Sequence, residues 1–168
     1  AIDISQKAAQ LSALNFAASP YASRLTAQNI DFRKLETNEK FDIIISNPPF
    51  FERNNSQKHS LARQKITLNF SELIFNTAQH LVGTGTFSVI LPAQASEIFI
   101  DECADKALYL NRKINIFGIE KGNLKRNILE FTFTKTIPQI QDFIIEKSPR
   151  NYSDQYLQLT RDFHIFKK

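Results

Sequence analysis

Residues 41–50 read FDIIISNPPF, and the fold turns on how that stretch is read. Phe41, Ile43, Ile44 and Ile45 form a short, nearly continuous apolar run. Such a run suits a strand buried on both faces of a parallel sheet. Asn47-Pro48-Pro49 then ends it, because proline fixes φ and has no N–H to give to a ladder. Phe50 and Phe51 follow, and after them comes a long polar loop to Gln64. A strand closing on a side-chain amide, two rigid residues and two aromatic rings places recognition groups beyond its carboxyl end, where open α/β sheets bind ligands.

Working outward, AIDIS at the start reads as a strand, Ser5 as a helix cap, and QKAAQLSALNFAAS as a helix to about Ala18, stopped by Pro20. SRLTAQNIDF predicts a second short strand ending near Asp31. Ile66, Phe70, Leu73, Ile74, Ala78 and Leu81 recur at helical spacing, with Gly83 as the expected C-cap. The Gly83-Thr84-Gly85 step reads as a turn, since a phosphate loop needs strand then helix and this one has helix then strand. TFSVILP is a further strand, ASEIFIDECADKALYL a helix, and KINIFGIE and NILEFTFTK two strands joined by the basic turn KGNLKR. QIQDFIIEK predicts one more strand, and the tail from Ser148 a short helical turn. Strand–helix alternation over the first 110 residues indicates a parallel, doubly wound α/β sheet, and the tight connection between the later strands an antiparallel hairpin at its edge.

The chain has 168 residues, a length that fits one domain spanning 1–168. Its net charge of +4 and pI near 9.2 are compatible with a nucleic-acid partner without requiring one. Cys103 is its single cysteine, which rules out an internal disulfide and leaves a reducing, intracellular setting as the expectation. No apolar run approaches the roughly 20 residues that span a bilayer, and no membrane partner is expected. His80 and His164 have no Cys, His or carboxylate at ligand spacing, so no metal is expected either.

The chemistry concentrates at residues 47–50. The Asn47 amide offers an acceptor and two donors, and the Pro48 carbonyl a second acceptor. Pro48 and Pro49 hold these groups at little entropic cost, and Phe50 adds a flat apolar face. Two acceptors beside an aromatic plate suit a planar molecule bearing an amine, with stacking worth on the order of 1–3 kcal/mol. Taken alone, Asn-Pro-Pro can also be a strand terminator with Phe50 and Phe51 tucked into the core. Arg53, Lys58, His59, Arg63 and Lys65 follow the motif; such loops are commonly just solvated, but here they could grip phosphates. Lys121, Lys125 and Arg126 in the hairpin turn, and Lys147 and Arg150 in the tail, could do the same.

DIIISNPPF resembles the fourth motif of class I S-adenosylmethionine-dependent amino methyltransferases, and the resemblance runs along the whole chain. It implies a Rossmann-like methyltransferase sheet with S-adenosylmethionine as cofactor. Asp3 in AIDIS matches the acidic residue that holds the cofactor ribose. Asp31 and Phe32 in NIDF match the residues bordering its adenine, and Asn47 stands at both cofactor and substrate. Asn47, Pro48, Pro49 and Phe50 match the catalytic motif. The tail, IIEKSPRNYSDQYLQLTRDFHIFKK, is similar to that of the bacterial tRNA1(Val) adenine-37 N6-methyltransferase family, which implies methylation of an adenine N6 in tRNA, in the cytoplasm. In that reading Arg53, Lys58, Arg63, Lys125 and Arg126 face the tRNA. Related enzymes act on guanine N2 in ribosomal RNA, and a non-catalytic RNA-binding fragment is the rival of another class. The family's Gly-rich first motif and its strand are not found in these 168 residues. The domain is therefore expected to be N-terminally incomplete, its missing strand supplied by an upstream segment or a neighbouring chain, and inactive on its own.

Overall fold

The described residues of the computed structural model are 1–36, 38–48 and 69–163. Strand β1 (Ile2–Asp3) leads into helix α1 (Gln6–Ala17), capped by Ser5, whose hydroxyl accepts from the Ala8 N–H. The chain returns to β2 (Gln28–Asn29), parallel to β1 with Asp3 opposite Asn29. These two strands form a sheet of their own. The second strand is shorter than its sequence suggests, because Asp31 caps a 3-10 turn at Phe32–Lys34 and ends the extended chain there.

The larger sheet holds β3 (Phe41–Ser46), β4 (Leu81–Pro92), β5 (Tyr109–Ile119), β6 (Leu124–Thr132), β7 (Gln139–Ser148) and β8 (Asn151–Tyr152), in the order β3-β4-β6-β5-β7-β8. β3 pairs parallel with β4, β6 antiparallel with both β4 and β5, and β7 parallel with β5. Thus β3, β4, β5 and β7 all run one way, and their carboxyl ends line one end of the sheet. The β5–β6 hairpin is antiparallel, as its tight connection requires, and the sheet continues past it through β7 to an antiparallel β8.

Helix α2 (Phe70–His80) starts on a capping box in which Asn69 accepts from the Glu72 N–H and Glu72 accepts from the Asn69 N–H. Such a box satisfies two donors that a helix start would otherwise leave bare. With α3 (Ser96–Ala104) it covers one face of the sheet. Leu73, Ile74, Phe99 and Cys103 meet Phe87, Val89 and Leu91 of β4 and Leu129 and Phe131 of β6. The alternate residues of β4 and β6 supply this core, and each buried Leu or Phe stabilises by about 1.5–3 kcal/mol. The Phe99 ring meets Phe70 edge-on at 4.8 Å, while Phe87 stacks on Phe131 at 6.0 Å.

Two expectations are corrected here. Gly83 is no helix cap and Gly83-Thr84-Gly85 is no turn, for both glycines lie inside β4. The helix ends at His80, Leu81 is already extended, and the strand begins at once. Between Phe41↔Leu81 and Ile43↔Thr86 the register shifts, so the extra residues of β4 bulge past β3. A Cβ on Gly85 would stand 2.7 Å from the Leu81 side chain and 2.9 Å from the Asp42 carbonyl, so this crossing requires glycine. The second correction concerns FDIIIS, read as buried on both faces. Ile44 packs on the core, but Ile43 is 63% and Ile45 78% exposed. Only one of β3's sides has a strand partner among the described residues, and α1 packs on β1 and β2 instead.

Candidate active site at the carboxyl end of the sheet

The Asn47 position follows from the β3 register. Ser46 lies opposite Val89, three residues short of Pro92, so Asn47 and Pro48 emerge where β4 is still running. Pro48 is buried and Asn47 exposed. The Asn47 amide makes no hydrogen bond to any described residue, so its oxygen and NH2 are available to a ligand. Pro49 and Phe50 lie outside the described residues, as do Arg53, Lys58, His59, Arg63 and Lys65.

A row of hydrogen-bonded side chains crosses the sheet from the start of α3 to β7. The Ser96 hydroxyl donates to Asn127 Oδ1, Asn127 Nδ2 to Asn115 Oδ1, and Asn115 Nδ2 to Asp142 Oδ1, each at 2.8 Å. Asn127 and Ser96 are both buried, and every polar atom in this row that faces the interior has its partner. The carboxylate at one end sets the direction of both amides. The row pins the start of α3, and with it the Pro92–Ala95 connection, to the β4–β6–β5 surface. Nothing in the linear sequence joins these four residues; the only hint is Asn127 opening the apolar alternation of NILEFTF.

Asp3 ends β1, with Oδ1 accepting from the Ser5 N–H at 2.7 Å and its carboxylate exposed. Asp31 lies beyond β2. Its Oδ1 accepts from the Arg33 backbone N–H, and the Arg33 guanidinium reaches both carboxylate oxygens at 2.6 to 3.0 Å. That hydrogen bonding holds the Asp31 carboxyl below its usual range and raises Arg33, against the opposing effect of burial. Arg33 also reaches Glu72 of α2 at 3.6 Å. Phe32 is half-buried against the core, its ring 5.9 Å from that of His80. Asp31 and Phe32 thus tie the two-stranded sheet to α2, and the Asp31 carboxylate is already engaged.

Lys125 and Arg126 open β6 at the same end of the sheet as Asn47, with Arg126 opposite Pro92, and both side chains are exposed. Burial pushes the Cys103 thiol far above its usual pKa, which removes it as a nucleophile. Among the described residues no group of three or more His, Cys, Asp or Glu could hold a metal, and no helix is long and apolar enough to cross a membrane.

A parallel strand–helix–strand start and helices on a mixed sheet match the fold of class I S-adenosylmethionine-dependent methyltransferases. Among solved structures, a predicted O-methyltransferase from Agrobacterium tumefaciens superposes with a TM-score of 0.68 over 99% of this chain and 78% of that one, at 15% identity. A glycopeptide N-methyltransferase complexed with S-adenosyl-L-homocysteine gives 0.54 over 78% and 70%, at 10% identity. Residues 2–114 match the family described as Eco57I restriction-modification methylase. The tRNA1(Val) (adenine(37)-N6)-methyltransferase of a Flavobacteriaceae bacterium (strain 3519-10) is 44% identical over 99% of this chain and 72% of its own length. The protein of the same name from Bacteroides fragilis (strain YCH46) is 34% identical over 98% and 72%. The chain belongs to the tRNA1(Val) (adenine(37)-N6)-methyltransferase family.

Proposed function

We propose that this chain carries the substrate-orienting part of an S-adenosylmethionine-dependent tRNA methyltransferase that acts, in the cytoplasm, on the N6 amine of an adenine, at position 37 of a valine tRNA. The observation that carries this reading is the free Asn47 amide standing on buried Pro48 at the end of β3, in a chain so similar to enzymes of that name.

The target adenine leaves its stack and lies on Phe50. The Asn47 side-chain oxygen and the Pro48 carbonyl each accept one N6 hydrogen. With both hydrogens held, the nitrogen lone pair faces the methyl donor. Bound S-adenosylmethionine supplies a methyl group already activated on a sulfonium. The chain's own task is then positioning and electrostatics, with no covalent intermediate. The exposed Asp3 carboxylate keeps acceptor capacity for the cofactor ribose. Asp31, held by Arg33, fixes Phe32 beside the cofactor adenine rather than offering its carboxylate. Arg53, Lys58 and Arg63 grip tRNA phosphates beside the motif, as do Lys125 and Arg126.

We also propose that a further strand, from an upstream segment or a neighbouring chain, runs parallel between β1 and β3 and completes the cofactor site. Each of these strands has one described partner, and Ile2, Ile4, Ile43 and Ile45 are exposed beside the unpaired edges. An exposed apolar edge is a template for a strand.

The test is methyl transfer from labelled S-adenosylmethionine to unmodified tRNA1(Val) and to ribosomal RNA fragments, by protein extended upstream, with the modified nucleoside identified by mass spectrometry. N6-methyladenosine at position 37 is expected. N2-methylguanosine in ribosomal RNA, or binding without transfer, would contradict the reading.

A further inference from the structure

Three non-glycine residues among those described have a left-handed backbone: Ala107 at φ 59°, Lys121 at 61° and Arg150 at 65°. Two are cations, and they stand in adjoining turns. Lys121 is the third residue of the Ile119–Gly122 turn, closed by the Gly122 N–H on the Ile119 carbonyl at 2.9 Å. Arg150 follows Pro149 in the two-residue connection of the β7–β8 hairpin, where Ser148 lies opposite Asn151. In both turns this is the slot that sterics reserve for Gly or Asn, because a Cβ there crowds the backbone carbonyl. The first turn is tied to β7, the strand that leads into the second, by the Glu120 N–H, which donates to the Glu146 carbonyl at 2.8 Å.

Both turns lie at the end of the sheet that carries Asn47. From β3 to β7 is four strand spacings, roughly 20 Å. Lys121, Lys125, Arg126 and Arg150 are exposed, and none has a described carboxylate within ion-pair distance. The Lys125 stem lies along Gly118, 3.8 Å from where a Cβ would stand. Of the neighbouring acids, Asp154 is taken by Lys147 at 2.8 Å, and Glu146 turns to the Arg150 backbone N–H at 3.3 Å. Glu120 remains beside Lys121. A charge kept for solubility can sit on any exposed strand or helix position without a backbone cost. Two cations in adjoining left-handed slots are placed against local preference, and such strain collects where function needs the geometry.

We propose that Lys121 and Arg150 form a clamp for the phosphates of the RNA strand that leads away from the Asn47 site. The proposal rests on the tRNA reading above and extends it to a second contact, three to four strands away from the target base.

Glycine separates function from folding at these positions, since it removes the charge and relieves the backbone. In the full-length protein, Lys121→Gly with Arg150→Gly should bind unmodified tRNA1(Val) at least about tenfold more weakly at low salt. The slope of log affinity against log salt should fall by about 1.5, the value for two lost phosphate contacts. The unfolding midpoint should hold or rise. Two controls should leave tRNA binding unchanged: Ala107→Gly, which gives the same backbone relief, and Lys106→Gln with Lys135→Gln, the same charge loss at the opposite end of the sheet. An unaltered slope in a double variant of an enzyme that still methylates tRNA overturns the clamp alone. An equal loss in the Lys106/Lys135 control also overturns it. Wild-type protein that neither binds nor methylates tRNA overturns the clamp and the proposed function together.

Discussion

Asp31 shows how one residue's neighbours redirect it. The resemblance of NIDF to the family's motif implies a cofactor contact for Asp31; in the structure both its carboxylate oxygens are held by the Arg33 guanidinium and Oδ1 also caps the Phe32–Lys34 turn. The pair depresses the folded pKa of Asp31 below its ordinary 3.8. The ionised form is therefore favoured in the folded state. Its contribution is fully present above about pH 4 and is lost as pH falls through the depressed value. Asp31→Asn keeps the cap and removes the charge. Urea unfolding should show a stability gap between wild type and variant that is constant from pH 7 to about pH 4.5 and narrows below pH 4. A gap that does not change down to pH 2.5 would separate Asp31 from the Arg33 pair. Arg33 two positions on was visible in the sequence, but an i, i+2 pair meets only if the chain turns there, and NIDF reads just as well as the end of a strand. The exposed place of Asn47 at the end of β3 was legible for the opposite reason. Its context of apolar strand and prolines ends the ladder there and leaves the amide outside it.

At the scale of elements, the crossing of β3 and β4 carries the site. The bulge at Leu81–Thr86 sets the β3 register and thereby where Asn47 emerges. Gly83 and Gly85 make a paired test. Gly85→Ala should destabilise by about 1–3 kcal/mol, because the new methyl meets buried Leu81 and the Asp42 carbonyl. Gly83→Ala meets nothing within 4 Å and should leave stability unchanged or raise it by up to about 1 kcal/mol. Chemical denaturation of the two variants side by side decides it, and equal effects would remove the close approach from the account. Helix α2 was legible from its spacing, for Phe70, Leu73, Ile74 and Ala78 all reach the core. Its end was not. Glycine after a helix usually signals a cap, and only the partner strand shows that this glycine is needed for a crossing inside β4. The depth of β3 was misjudged similarly, because an apolar run reports a capacity for burial and not which neighbours are there to cover it.

At the scale of the whole molecule, one end of the sheet gathers Asn47, the Pro92 connection, Lys125 at the start of β6 and the turns bearing Lys121 and Arg150, while the core lies on the face under α2 and α3. The alternation of strands and helices made that layout legible, since parallel strands bring their carboxyl ends together. The convergence of the basic turns was not, because residues 121 and 150 become neighbours only through the β5–β7 pairing. We propose that this layout serves to hold an amine against a methyl donor, with the Asn47 amide as the orienting group. Single-turnover methyl transfer to unmodified tRNA1(Val), by full-length protein and its Asn47→Ala variant at saturating tRNA and cofactor, tests it most directly. Removing one preorganised polar contact from a transition state costs about a hundredfold or more in rate. The variant should lose at least that much while unfolding at the same denaturant concentration as wild type, since the exposed side chain has no described partner to forfeit. Wild-type turnover in the folded variant would contradict the account.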